Sequence, residues 1–265
     1  MTWIQIAVLA VVQGLTEILP ISSSGHLVLV PYVVGWTDQG LVFDVAVHFG
    51  SLGAICLYFR NDLVAAFRGG LELLRGRMDT PESRIALAIA LGTVPAAIAG
   101  LLLAGWISAN LRDPLVVVTT LSGFGLLLGF ADRFGRKERI ITDVRLTDAI
   151  VIGCAQALAL VPGTSRSGVT ITAGLILGLK RQDAARFSFL LSAPVILLAA
   201  AYEATMLVVD GGSVSWPELG AGALISGVVA YFSIAFFMRF IATRDLLPFV
   251  VYRLLLSGVI LYVLW

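Results

Sequence analysis

The chain has 265 residues, 58% of them hydrophobic and only 13% charged, with a net charge of +1 and a mean hydropathy of +0.96. Soluble domains carry about a quarter charged residues, so this composition excludes an ordinary soluble enzyme, and no nucleic acid is expected as a partner. It describes an all-α polytopic membrane protein. With no polar linker between two cores, residues 1–265 read as a single membrane domain. Cys56 and Cys154 lie in apolar segments and are expected as buried small hydrophobes rather than as a disulfide. The N-terminus lacks a basic region, so no cleavable signal peptide is expected.

In chain order, residues 2–19 and 26–35 are apolar but short, and a polar cluster breaks them apart. A membrane span needs about 20 residues to cross a hydrocarbon core of roughly 30 Å, so a re-entrant helical hairpin fits better than two full spans. Spans are predicted near 41–59, 85–106 and 114–131. The pattern then repeats: short pieces at 147–161 and 169–179 surround a second polar cluster, and spans follow near 187–208, 218–238 and 247–265. Repeat one thus covers about 1–131, a loop covers 132–146, and repeat two covers about 147–265. Each repeat is one hairpin plus three spans. A hairpin returns to its own side and three is odd, so the second repeat is expected to be inverted relative to the first, with the interrupted helices meeting at the midplane.

Basic residues test this topology. Arg60, Arg68, Arg75, Arg77 and Arg84 fall between the first and second spans, and Arg133, Arg136, Lys137, Arg139 and Arg145 precede the second hairpin. Lys180, Arg181 and Arg186 follow it, and Arg239 and Arg244 occupy the last loop. The intervening connections hold only Arg112 (107–113) and no Lys or Arg (209–217). The basic loops are therefore expected in the cytoplasm and both termini outside.

The two polar clusters carry the chemistry. The first runs from Gln13 through Glu17, Pro20, Ser22, Ser23 and Ser24 to Gly25 and His26. The second runs from Gln156 through Pro162, Gly163, Thr164, Ser165, Arg166, Ser167 and Gly168 to Thr170. Their prolines are 142 residues apart, and both follow one plan: apolar run, proline, hydroxyls, glycine, apolar run. Ser22, Ser23 or Ser24 can cap one helix, and Thr164, Ser165 or Ser167 the other. Free N–H groups and the macrodipole make each helix start an anion site. Arg166 adds a planar fork suited to phosphate oxygens, so a pyrophosphate fits better than a carboxylate or a halide. Glu17 and His26 can face one cavity, each as base or nucleophile, and Glu17 can alternatively hold a hard divalent cation. Gln13 lies one turn before Glu17, on the same face. Against these stand plainer readings: serines bonded back to the backbone, and Arg166 simply paired with Glu17. His48 reads as interfacial, and Asp44, Arg60 and Asp62 as ordinary interface charges. The glycine-rich second cluster lacks the lysine and strand of a P-loop.

At these residues the chain resembles the undecaprenyl-pyrophosphate phosphatase family of bacterial inner-membrane enzymes, first linked to bacitracin resistance. Gln13 to His26 is similar to its first signature, with Leu-Pro-x-Ser-Ser-x-Gly-His at its core. Pro162 to Thr170 is similar to its second, Pro-Gly-x-Ser-Arg-Ser-Gly-x-Thr, and the run from Ala185 through Ser188 and Ser192 to Pro194 matches a third pattern. Many members carry Glu where Gln13 stands. The resemblance implies dephosphorylation of undecaprenyl pyrophosphate to the monophosphate lipid carrier of cell-wall synthesis. It also implies a divalent cation, Mg2+ or Ca2+, and an active site open to the periplasm. On this reading Glu17, Ser23, His26 and Arg166 are catalytic, with Glu17 as the metal ligand. Gln13, Ser22, Ser24, Ser165, Ser167, Gly168 and Thr170 bind substrate. Ser23, His26 and water all stand open as the nucleophile. Expected partners are undecaprenyl pyrophosphate and membrane lipid, with a homodimer left open. The alternative is an inverted-repeat transporter for an anion or lipid phosphate, which needs Arg166 and the helix ends but no base. An intramembrane serine protease fits poorly, because it gives Arg166 no role.

Overall fold

The computed structural model describes residues 1–111, 113–210 and 215–264. Arg112 and residues 211–214 of the 209–217 connection, which has no Lys or Arg, lie outside them. Among the described residues the chain forms eleven α-helices: α1 (Trp3–Thr16), α2 (Ser23–Val34), α3 (Leu41–Tyr58), α4 (Arg60–Leu74), α5 (Pro81–Asn110), α6 (Pro114–Phe134), α7 (Leu146–Leu158), α8 (Arg166–Ile176), α9 (Arg181–Asp210), α10 (Trp216–Thr243) and α11 (Leu247–Leu264). A 3-10 turn at Ile141–Asp143 precedes α7.

Helix lengths sort the elements. Helices α5, α6, α9 and α10 are long and apolar enough to cross a membrane. The pairs α1–α2 and α7–α8 have 14, 12, 13 and 11 residues. At 1.5 Å per residue each is about 16–21 Å long, well short of the hydrocarbon core. Helices α3 and α11 are 18 residues each, the shortest of the predicted spans. Residues 60–84 were expected as a basic loop, but α4 occupies most of this stretch. It bends 85° away from α3 at Phe59, and its Gly69 packs directly on the backbone of Glu82 at the start of α5. Asp62 is not a loose interface charge, because it pairs with Arg186 of α9.

Outward faces are apolar, unlike those of a soluble domain, and the interior combines an apolar core with a set of buried polar groups. Leu101, Leu102, Trp106, Phe130 and Leu224 are exposed, while Gln13, Glu17, Ser167, Gln156 and Arg253 are buried. Cys56 and Cys154 are exposed on these outer faces, not buried as expected, because their helices turn them away from the interior.

The helices exchange partners between the halves of the chain. Helix α1 packs on α10 and α7 packs on α5; α3 packs on α10 and α9, and α6 on α11. Small residues allow these close approaches, as is common between membrane helices. A Cβ on Gly14 would lie 2.6 Å from the Ser226 carbonyl of α10, and one on Gly153 would strike the Gly92 backbone of α5. Ser226 also donates to the Val47 carbonyl at 2.7 Å, which pins α10 to α3. At the end carrying the basic loops, Asp132 accepts from Arg181 at 2.5 Å and from the Leu246 amide at 2.8 Å. Arg139 pairs with Asp148 there and donates to the Leu177 carbonyl at 2.8 Å.

Candidate active site

The two polar clusters form the turns of the short helix pairs, and the turns are built alike. Ser22 and Ser165 each hold the N-cap position with a positive φ, 75° and 70°. Such a conformation is uncommon for residues with a side chain and recurs at functional sites. Superposing the caps sets a shift of 143 residues, not the 142 of the prolines, and under it Gln13 matches Gln156, Ser24 matches Ser167 and Gly25 matches Gly168. Both second helices begin three residues earlier than predicted, so Ser23 and Arg166 are their first helical residues.

The caps differ in one respect. The Ser165 hydroxyl accepts from the Gly168 amide at 3.2 Å, whereas Ser22 makes no side-chain cap. The first amides of α2 therefore carry no hydroxyl cap among the described residues, and a helix start of this kind favours an anion.

Glu17 is the centre of the site. It is buried at the end of α1, and both carboxylate oxygens are engaged. Oε1 accepts from Arg166 Nη2 at 2.8 Å. Oε2 accepts from the Ser23 hydroxyl at 2.7 Å and from Gln13 Nε2 at 3.2 Å, and His48 Nε2 lies 3.4 Å away. His48 was read as interfacial; instead α3 aims it at Glu17, and its Nδ1 donates to the Asp44 carbonyl at 2.7 Å. Asp44 also belongs to the site's surroundings, bonded to Gln39 at 2.8 Å. The ion pair between Glu17 and Arg166 joins residues 149 apart in sequence and ties the two turns together.

The remaining predicted residues divide into those that face a cavity and those that build its walls. A cavity of about 710 Å³ opens against Glu17, Ser22, Ser23, Ser24, His48, Gln156, Ser165 and Arg166, and continues between apolar side chains such as Val28, Leu29, Ile196 and Ile260. Its size suits a small-molecule ligand, within the usual 300–1,000 Å³ or so. Ser167, Gly168 and Thr170 lie behind this surface. Ser167 donates to the Leu19 carbonyl at 3.2 Å, and Thr170 bonds the Arg166 carbonyl at 2.7 Å and the Ser188 hydroxyl at 2.6 Å. His26 is not brought to Glu17. Its Nδ1 meets the Ser22 carbonyl at 2.7 Å and its Nε2 the Tyr252 hydroxyl at 2.6 Å, so both ring nitrogens are occupied within the wall.

Arg253 of α11 escaped the sequence reading, which treated 247–265 as a plain span. It is fully buried, and among the described residues no carboxylate pairs with it. It donates to the carbonyls of Leu121 (2.9 Å), Gly163 (3.0 Å) and Thr164 (3.0 Å), and to Pro20 and Thr120 at 3.4 Å. One guanidinium thus holds the backbones of both turns. The available signal was an arginine within an apolar run, which in a membrane segment calls for an interior partner.

Fold and site together define an integral membrane protein with a cavity lined by hydroxyls, a carboxylate and a guanidinium at the junction of two like-built helical turns. The chain belongs to the family described as bacitracin resistance protein BacA, whose profile matches residues 6–259. It is 52% identical over 260 residues to the undecaprenyl-diphosphatase of Hahella chejuensis (strain KCTC 2396), covering 97% of each chain. It is 51% identical to undecaprenyl-diphosphatase 2 of Stutzerimonas stutzeri (strain A1501), covering 98% of each, and 51% identical to the undecaprenyl-diphosphatase of Nitrosococcus oceani, covering 99% of each.

Proposed function

We propose that the protein hydrolyses undecaprenyl pyrophosphate to undecaprenyl phosphate and inorganic phosphate, which returns the lipid carrier to cell-wall synthesis. The observation that carries this reading is the continuous chain from Ser23 through Glu17 to Arg166: hydroxyl, carboxylate and guanidinium in contact at 2.7 and 2.8 Å on a cavity wall. A transporter needs the arginine but has no use for a hydroxyl aligned on a carboxylate, and the full-length relatives carry the names of hydrolases.

Arg166 exchanges Glu17 for phosphate oxygens when the headgroup enters, and the uncapped amides of α2 face the same charge. This frees Glu17 to take the proton of Ser23. The serine oxygen then bonds to the terminal phosphorus and the bond to the lipid phosphate breaks, leaving undecaprenyl phosphate and a phosphoserine that water hydrolyses. Ser23 is preferred to His26 because its hydroxyl already donates to Glu17, whereas His26 is locked into the wall. The cavity takes the headgroup and the first isoprenyl units, and the rest of the tail lies on the apolar outer faces.

A divalent cation, Mg2+ or Ca2+, is part of the proposal. The Glu17 carboxylate would hold it, with the Oε1 of Gln13, which is buried without a donor among the described residues, as a second oxygen donor. Among the described residues no group of three or more His, Cys, Asp or Glu could hold a metal unaided, so substrate phosphates and water would have to complete its shell. Such an ion would neutralise charge on the phosphate oxygens.

The swapped pairings of α1 with α10 and α7 with α5, and the positive φ shared by Ser22 and Ser165, support two inverted repeats with re-entrant hairpins. The cavity also touches Asp38 in the connection between α2 and α3, and Pro114 and Val263 at the ends of α6 and α11, all opposite the basic loops. This supports a site open to the periplasm, with both termini on that side.

The test is phosphate release from a polyprenyl pyrophosphate by the purified protein with Mg2+, Ca2+ or chelator, beside Glu17→Ala and Arg166→Ala. Release by wild type that vanishes in both variants and with chelator is expected. No release by folded wild type under any cation overturns the reading.

A further inference from the structure

Gln156 is the buried polar group that the mechanism leaves without a task. Its side chain is 2% exposed and lines the cavity, and neither its amide nitrogen nor its carbonyl oxygen has a partner among the described residues. A buried carboxamide with all its bonding capacity unmet is rare in a folded protein.

The comparison of the two turns explains how it arises. In the first turn the matching residue, Gln13, donates to Glu17 four residues on, at 3.2 Å. The 143-residue shift places Leu160 where Glu17 stands, so Gln156 has no carboxylate to hold. The same backbone position that serves Glu17 in one turn presents a free amide to the cavity in the other. Ser165 and Arg166, on the far side of the same turn, line that cavity too.

We propose that Gln156 is a substrate-binding residue whose amide donates to a phosphate oxygen of the pyrophosphate headgroup. This rests on the phosphatase reading and deepens it. Hydrocarbon would leave the amide unsatisfied, so an isoprenyl unit is the wrong neighbour. A phosphate oxygen accepts from N–H, and the amide carbonyl accepts from a protonated phosphate oxygen or a bound water. Being neutral, the group orients the headgroup without competing with Arg166 for Glu17.

The experiment measures inorganic pyrophosphate binding to purified full-length wild type, Gln156→Leu and Gln156→Glu by calorimetry, together with melting temperature and the KM for a polyprenyl pyrophosphate. Leu removes the bonds at similar volume, and Glu sets a negative charge against the phosphate. Both variants are expected to bind pyrophosphate about ten- to a hundredfold more weakly, the effect of a hydrogen bond to a charged group. KM should rise more than kcat falls. The melting temperature of Gln156→Leu should equal or exceed that of wild type, since the unpartnered amide is gone, whereas a packing role would lower it. Unchanged pyrophosphate affinity in either variant overturns the proposal, as does wild type that binds none. Wild type that binds pyrophosphate yet releases no phosphate from the lipid overturns the phosphatase reading instead, and the comparison of affinities still decides the role of Gln156.

Discussion

Replacing Arg253 with methionine removes the cation that joins both turns while keeping most of the side-chain volume. Three of its bonds are 3.0 Å or shorter, to Leu121, Gly163 and Thr164. Without it those three carbonyls lose a donor, at about 1–3 kcal/mol each. Against this, the folded state no longer bears the desolvation of a buried guanidinium, several kcal/mol. The three bare carbonyls together cost about 3–9 kcal/mol, so after that relief the net loss is about 1–5 kcal/mol. For a chain of this size that corresponds to a fall in Tm of about 2–20 °C. Activity should fall more than tenfold even well below the new Tm, because Pro20 and Gly163 are no longer fixed and the distance from Ser23 to Arg166 loosens. Lysine should not rescue, since a point charge cannot reach carbonyls on both turns. The assays are thermal unfolding in detergent and phosphate release at 25 °C. Wild-type Tm together with wild-type turnover in Arg253→Met would falsify the claim that this residue holds the turns together.

Other outcomes follow from the same geometry. Ser23→Ala should lower kcat by at least a hundredfold with little change in Tm, and no phosphoserine should be trapped; a variant that still forms a phosphoenzyme would place the nucleophile elsewhere. Glu17→Gln and Arg166→Met should each destabilise the protein, because each takes from a buried charge its oppositely charged partner at 2.8 Å. The double variant should lose less than the sum of the two, measured as a coupling between melting curves, and strict additivity would mean that the pair contributes nothing in the empty site. Gly14→Ala should lower Tm by several degrees, since the added Cβ meets the backbone of α10 at 2.6 Å; an unchanged Tm would mean that α1 sits further from α10 than described here.

Much of this site could be read directly from sequence. Glu17, Ser23 and Arg166 stand out because ionisable groups and hydroxyls are costly in an apolar chain and must share an interior partner. The short helices around them follow from counting apolar residues, since local composition fixes helix length. What stayed hidden depended on contacts between distant segments. His48 looks interfacial because it sits near the start of an apolar run, and only the packing of α3 against the first turn points it at Glu17. His26 looks free because nothing nearby in sequence announces Tyr252, which arrives from α11. Arg253 was passed over because a run of apolar residues around one arginine says nothing of which carbonyls it meets. Helix α4 was masked by its arginines, which read as loop charge although its other face covers α5.

The amino-acid sequence by itself determined a membrane chain, two interrupted helix pairs and the residue types gathered at the breaks, because apolar run length and polar groups within it are local properties. Only the tertiary structure decided which of those groups meet. It placed the first turn's carboxylate against the second turn's arginine, sent His26 into the wall and left Gln156 without a partner among the described residues. Those outcomes depend on how α3, α10 and α11 pack around the turns, and helix packing is set by side-chain contacts between segments far apart in the chain.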